Sequence, residues 1–233
     1  MDFKLIFCDR QGNFGQYYDK YLTQIENTAY HCGDFTELDG QFDCIVSPGN
    51  SFALLDGGID AALNRYFSEI DEFIVEMQKQ LLDKCGGYQQ PGTCVLFQTN
   101  VVKCPHLAHC PTMGVPLTIT DYSIIYHAVW NLLMEIHKYN MCHPSSKIKT
   151  ILCPGLGTGC GQVRAEYFFQ LAHLAISDYL NYLKPIPSNN SKYLITWDSA
   201  NSRYKKLFKL VESFEPAVES DMYNMINLRK LRL

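Results

Sequence analysis

The chain predicts an α/β fold, a mixed and mostly parallel sheet with helices on both faces. Three observations carry that expectation. Short continuous apolar runs alternate with longer segments of helical periodicity, the pattern of strand and helix taken in turn. Two of the runs stop abruptly at glycine-containing loops, as buried strands do. Finally, 233 residues with 47% apolar and 19% charged content are an ordinary globular mixture. A chain of that length buries roughly 70% of its unfolded surface and needs no covalent staples.

The first run, Phe3 to Cys8, is bounded by Asp9 and Gly12 and reads as a strand. Residues 14–27 carry Tyr17, Tyr18, Tyr21, Leu22 and Ile25 at helical spacing. Tyr30 to Cys32 is a second strand, ended by Gly33 and Asp34. Phe42 to Val46 is a buried strand stopped by Ser47-Pro48-Gly49. A helical pattern in two pieces runs from Gly58 to about Lys84, until Gly86, Gly87, Pro91 and Gly92 break it. Thr93 to Gln98 and His106 to Cys110 are strands. Asp121 to Tyr139 is a long amphipathic helix with Ile124, Ile125, Ala128, Val129, Leu132, Leu133 and Ile136 facing inward. Lys149 to Cys153 is another buried strand, and a helix follows from about Gln162 to Leu183. Pro185 to Ser191 has the composition of a linker. Beyond it lie a short strand candidate, Tyr193 to Trp197, and a basic helix with Arg203, Lys205, Lys206 and Lys209. The expected organisation is one domain over 1–187 and an extension over 188–233 packed on it, with a solvated basic face.

Charge and cysteine content narrow the function. Twenty Lys and Arg against 24 Asp and Glu leave a net charge of -4, against a nucleic-acid binder, which needs a basic excess. No run approaches the ~18 apolar residues of a membrane span, and the N-terminal apolar patch is too short for a signal peptide. The expectation is a cytoplasmic protein, found also in the nucleus, with no membrane or nucleic-acid partner. The ten cysteines include no CxxC pair, and Cys8, Cys44 and Cys153 lie within apolar runs, as reduced buried thiols do. Cys104, His106, His109 and Cys110 invite a metal reading, with Cys142 and His143 further on. A strand there would send alternate residues to opposite faces, so no metal is expected.

Two loops carry the chemistry. In sheets of this kind ligands bind beyond the carboxyl ends of the strands. The later loop places Gly155, Gly157, Gly159 and Gly161 at every other position between strand and helix, so backbone N–H groups can gather round an anion. Cys160 and Gln162 stand where a dinucleotide fingerprint would need glycine, and no Gly-Lys-Ser/Thr follows. A phosphate cradle and a plain structural turn both fit. In the earlier loop Asn50 follows a strand, and Asp56-Gly57-Gly58-Ile59-Asp60 opens a helix. Asn50 can bind sugar hydroxyls and Asp60 could face the same point, or Asp60 could simply favour the helix start.

These segments together resemble the macro domain family. The resemblance rests on Gly33-Asp34-Phe35-Thr36, DCIVSPGNSFALLDGGIDAAL (43–63), PGTCVLFQT (91–99), HLAHCPTM (106–113) and ILCPGLGTGCG (151–161), in matching order over residues 3–183. Within the family, the Ser-Pro-Gly-Asn and Leu-Asp-Gly-Gly loops look most like the yeast-type ADP-ribose 1″-phosphate phosphatases. The resemblance implies the three-layer α/β/α macro-domain fold and ADP-ribose chemistry without a cofactor. It implies Asp34 as the acceptor of the adenine amino group and Phe35 beside it in the adenine pocket. Asn50 would contact the distal ribose, with Gly57, Gly58 and Ile59 around ribose and phosphate. Gly157, Thr158, Gly159, Cys160 and Gly161 would take the diphosphate. Asp60 would be the acidic residue of hydrolytic members.

The sequence departs from the family at Asp56, which adds a second carboxylate where many relatives have glycine. It departs again at Cys160, where an aromatic residue often covers the distal sugar. His109 matches the family's strand histidine and is expected in the core. The implied reaction is removal of the 1″-phosphate from ADP-ribose 1″-phosphate, with Asn50 orienting the ribose and Asp60, with Asp56, handling water. Because two carboxylates repel a departing dianion, one of them is expected to carry a proton. The alternatives are release of mono-ADP-ribose from proteins, deacylation of O-acyl-ADP-ribose, and ADP-ribose reading without turnover.

Overall fold

The computed structural model describes residues 1–68, 72–184 and 197–216. Its centre is a six-stranded sheet built from β1 (Lys4–Asp9), β2 (Thr28–Cys32), β3 (Cys44–Ser47), β4 (Val95–Gln98), β5 (His106–His109) and β6 (Thr150–Pro154). The strand order is β2-β1-β6-β3-β5-β4, and every pairing is parallel except β4 with β5. Side-chain alternation divides the core into two apolar layers. Leu5, Phe7, Cys44, Val46, Ile151 and Cys153 enter one cluster, while Ile6, Cys8, Ile45 and Leu152 enter the other. The first cluster is covered by α1 (Gly15–Tyr21), α4 (Ser123–Cys142) and α5 (Ala165–Tyr182), the second by α2 (Gly58–Tyr66) and α3 (Phe73–Cys85). This is the expected three-layer α/β/α arrangement.

One pairing is incomplete. β6 follows β1 for five residue pairs, from Lys4↔Thr150 to Cys8↔Pro154, but meets β3 only at Cys44↔Ile151 and Ile45↔Leu152. β3 instead keeps company with β5 as far as Ser47↔His109, and beyond it through an isolated bridge, Asn50↔Met113. The sheet therefore divides between β6 and β3 towards the carboxyl ends of the strands.

Several element bounds differ from expectation for local reasons. The first helix stops at Tyr21 because Thr28 Oγ1 caps the carbonyls of Leu22 and Ile25 and Asn27 turns with φ +63°. The helix after the glycine loop starts at Ala165 rather than Gln162, since Gln162 has φ +57° and Arg164 is extended. The linker from Pro185 to Ser191 lies outside the described residues, as does the strand candidate apart from Trp197, which opens α6 (Trp197–Glu212). α6 packs on α4 and α5 through Leu207, Leu210 and Val211. Lys205, Lys206 and Lys209 are solvated, but Arg203 is not part of that face. Its guanidinium lies 3.7 Å from the Trp130 ring centroid, and its Nε donates to Tyr126 Oη at 2.6 Å. After α6, Phe214 stacks on Tyr167 at 4.0 Å, holding the chain beside the start of α5.

No helix among the described residues is long and apolar enough to cross a membrane.

Candidate active site

All five parallel strands end on the same edge of the sheet, so the segments singled out in the sequence emerge together there. From β2 to β3 they follow the strand order: Asp34 after β2, the glycine loop after β6, then Asn50 and α2 after β3. Three inter-strand spacings separate the ends of this row, about 14 Å. The segments are thus spread along the edge rather than gathered at a point.

At the β2 end, Asp34 caps a 3-10 turn, Phe35–Leu38. Its Oδ1 accepts from Thr36 N at 3.1 Å and from Thr36 Oγ1 at 2.9 Å. These bonds hold its carboxyl below the usual range, with Arg10 adding to the effect, so it is ionised at neutral pH. The Phe35 ring is buried, edge-on to Tyr66 at 5.3 Å.

The four glycines of the β6 loop have different reasons to be glycine. A Cβ on Gly155 would meet Phe14 and Thr158 Oγ1, both at 2.4 Å, and one on Gly161 would meet Ile119 at 2.5 Å. Gly157 has φ +72° and is closed in by Ile119 and Ile125. Gly159 alone of the four faces open space. Val163 N donates to Gly157 O and Ile119 N to Gly161 O, which ties the loop down. Among the described residues the N–H groups of Gly157, Gly159 and Gly161 show no backbone acceptor, while Thr158 turns back on Gly155 O through its hydroxyl at 3.1 Å and Cys160 is exposed at the loop tip. Because α5 starts only at Ala165, a bound anion would be met by the loop's own amides rather than by the helix terminus.

At the β3 end the backbone is strained. Ala53 and Leu55 both have positive φ (+50° and +47°), at a cost of about 1–2 kcal/mol each, and are held there because both side chains are buried. The alternate residues Phe52, Leu54 and Asp56 are exposed, and Phe52 meets Tyr88 edge-on at 5.6 Å. Gly57 and Gly58 are exposed at the start of α2, with Ile59 half-buried behind them. Asn50 is buried. Its Oδ1 accepts from Phe52 N at 3.0 Å, and among the described residues its Nδ2 has no protein partner.

Asp60 sits in the first turn of α2, yet the terminus is not what it serves. Its Oδ1 lies 2.7 Å from Ser47 Oγ on β3, and burial pushes its pKa up to about 6; a hydrogen bond donated by Ser47 to the carboxylate opposes that rise, and the charge of Asp56 adds to it. Asp56 stays exposed, so the two carboxyls brought to this corner occupy unlike environments.

Ser47 is the residue that sequence reasoning missed here, and His109 is buried as expected but meets the same corner. They are register partners on neighbouring strands, and both point to the α2 side. Ser47 Oγ lies 3.2 Å from His109 Nδ1, and His109 Nε2 lies 3.0 Å from the Asn50 carbonyl. Burial pushes the His109 pKa down to about 4. His106, two residues earlier on β5, points the other way and meets Tyr139 Oη at 3.1 Å. Among the described residues no group of His, Cys, Asp and Glu converges as a metal site would. A separate cavity of about 270 Å³, lined by Lys84, Leu96, Tyr139 and His143 among others, opens at the β4 edge and includes none of the loop residues above.

The macro domain family model matches residues 46–172, more than half of the chain. An uncharacterized protein of Aquifex aeolicus is 28% identical over 134 residues, 58% of this chain and 71% of that protein. Among solved structures, the macrodomain of Mycobacterium tuberculosis DarG aligns with a TM-score of 0.51 at 20% identity, covering 64% of this chain and 90% of that one. An asparagine-to-alanine mutant of the Oceanobacillus iheyensis macrodomain aligns with a TM-score of 0.50 at 15% identity, covering 74% and 84%. These structural likenesses speak to the fold, and the extent of the family match settles membership: the chain belongs to the macro domain family.

Proposed function

We propose that this edge of the sheet binds ADP-ribose lengthwise and hydrolyses ADP-ribose 1″-phosphate to ADP-ribose and phosphate. The adenine amino group meets the ionised Asp34, the diphosphate lies on the amides of the Gly155–Gly161 loop, and the distal ribose sits between Asn50 and Asp60. The observation that carries this reading is the corner itself: a buried carboxyl with raised proton affinity, next to an asparagine with unspent amide donors. A dianionic phosphate at the ribose raises the proton affinity of Asp60 further, so the complex holds the acid form. Asp60 then gives its proton to the 1″ oxygen as the P–O bond breaks and water supplies the new oxygen on phosphorus. One water proton leaves with the products and the other restores Asp60. General acid catalysis of this kind contributes about 10²–10⁴ in rate.

Calorimetry with ADP-ribose, and with AMP as control, tests the binding. Micromolar ADP-ribose binding with AMP much weaker is expected. Phosphate release from ADP-ribose 1″-phosphate tests the reaction. Asp60→Ala should abolish it while leaving ADP-ribose affinity within a few-fold, and turnover retained in that variant would sink the catalytic role.

The exposed Phe52 and Leu54 at the mouth, with Val115 and Leu117 also exposed on the loop after β5, favour a second reading. An apolar rim suits a protein carrying ADP-ribose, so the same corner would release the sugar from a side chain. A mono-ADP-ribosylated protein offered in place of the phosphate ester decides between the two, and binding without turnover of either would leave a reader.

A further inference from the structure

We propose that Ser47 and His109 form a buried relay that keeps a proton on Asp60, making His109 a positioning residue two hydrogen bonds from that carboxyl. The catalytic meaning of the relay rests on the reading above, in which Asp60 serves the distal ribose.

The argument is a count of hydrogens along three contacts. A carbonyl only accepts, so the 3.0 Å contact with Asn50 O puts a hydrogen on His109 Nε2. In the neutral imidazole Nδ1 is then a lone pair, 3.2 Å from Ser47 Oγ. Ser47 has one hydrogen and two claimants, Nδ1 and Asp60 Oδ1 at 2.7 Å. If Asp60 is ionised, Ser47 donates to it and leaves Nδ1 facing an oxygen lone pair. If Asp60 is protonated, Oδ1–H donates to Ser47 Oγ, Ser47 donates to Nδ1, and Nε2–H donates to Asn50 O. All three contacts are then satisfied.

The same proton could sit on Nδ1, with Ser47 donating to an ionised Asp60, but that places an ion pair in a corner that excludes water. Ser47 and His109 are 0% exposed and Asp60 9%, which favours the neutral arrangement. The surroundings hold few competing charges. Asp56 is the charged group acting on Asp60, and its charge too opposes ionisation. His109 is faced on its ring side by Phe97 at 5.8 Å and shows no charged neighbour.

Gly49 closes the constellation. A Cβ there would lie 3.0 Å from Asp60 Oδ2, 3.1 Å from His109 Cε1 and 3.3 Å from Ser47 Oγ, so it touches all three members at once. The relay also links the two halves of the ribose corner, since His109 holds the Asn50 backbone through one nitrogen and Ser47, the neighbour of Asp60, through the other. When Asp60 gives up its proton, Ser47 must turn towards the carboxylate and Nδ1 loses its donor. Return of a proton to Asp60 restores the set.

The test uses the wild-type chain, labelled with ¹³C and ¹⁵N and without substrate, followed by NMR through a pH titration. His109 should be the Nε2–H tautomer, and its Nδ1 resonance should move with the same midpoint as the Asp60 carboxyl carbon. Ser47→Ala should remove that shared midpoint from His109, and Ser47→Thr, which keeps the hydroxyl, should retain it. His109→Phe frees the Ser47 hydrogen for the carboxylate and should lower the Asp60 midpoint by about one pH unit. An Nδ1 resonance in the wild-type chain that ignores the carboxyl overturns the relay, and so does an unmoved Asp60 midpoint in His109→Phe with ADP-ribose binding retained. No turnover enters this experiment. Loss of the proposed reaction with the shared titration intact would therefore sink the phosphatase reading and leave the relay standing.

Discussion

Asp60 and His109 are displaced in opposite directions by the same burial, the carboxyl up to about 6 and the imidazole down to about 4. The stability linked to a raised carboxyl is full below its unfolded value and lost as pH rises through the folded one. The stability linked to a lowered imidazole is full above its unfolded value and lost as pH falls through the folded one. Between about pH 4 and 6 the unfolded chain holds one proton, on histidine, and the folded chain also holds one, on aspartic acid. The pair therefore adds almost no slope to stability there. Asp60→Asn removes one member, and the stability of the variant relative to wild type should rise by about 3 kcal/mol from pH 4 to 6.5 in urea unfolding. A difference that stays flat would mean that Asp60 titrates as an exposed carboxylate. Asn50 and Asp60 were legible in the sequence because a strand, an asparagine and a glycine-rich helix start announce a loop. Ser47 was not, because a serine at a strand end has no signature, and its partner lies 62 residues away, reachable only through strand register.

Elements were legible where their signal is local. The long helix α4 and the buried strands β3 and β6 appear within a residue or three of their expected positions, since apolar periodicity and the Pro/Gly stops are properties of the segment itself. The start of α5 was misplaced because nothing local betrays that Val163 N turns back to Gly157 O. For the same reason the composition of the glycine loop left open whether it is a cradle or a turn, and two substitutions separate the readings. Gly157→Ala forces a Cβ to within 2.7 Å of Ile119 at a positive φ, and should cost about 2–3 kcal/mol in thermal unfolding. Gly159→Ala meets nothing within 4 Å and should leave the melting temperature unchanged, but weaken ADP-ribose binding about tenfold or more by calorimetry. Full ADP-ribose affinity in Gly159→Ala would make the loop a structural turn. Arg203 shows how a helix-wide view errs: four basic residues suggested a solvated face, yet one of them spends its charge on Trp130, Tyr126 and Asp178.

At the scale of the whole molecule, the α/β class and its three layers could be read from the alternation of elements. The strand order and the antiparallel β4 could not, because both depend on long-range pairing that no window of sequence contains. The gap between β6 and β3 belongs to the same category. Below Ile45 and Leu152 the sheet is one fabric, and above them it is two flaps, β2-β1-β6 and β3-β5-β4, joined by a seam of two rungs. A molecule lying along that edge would touch the glycine loop on one flap and Asn50 on the other, acting as the stitches the backbone omits. At a hundred times its dissociation constant such a ligand adds about 2.7 kcal/mol to stability. Hydrogen exchange should show where that gain falls, with slowing at Val46 and Cys153 on the facing margins of the seam and little change at the β4 edge. The protein would then be a torn sheet that its own ligand mends.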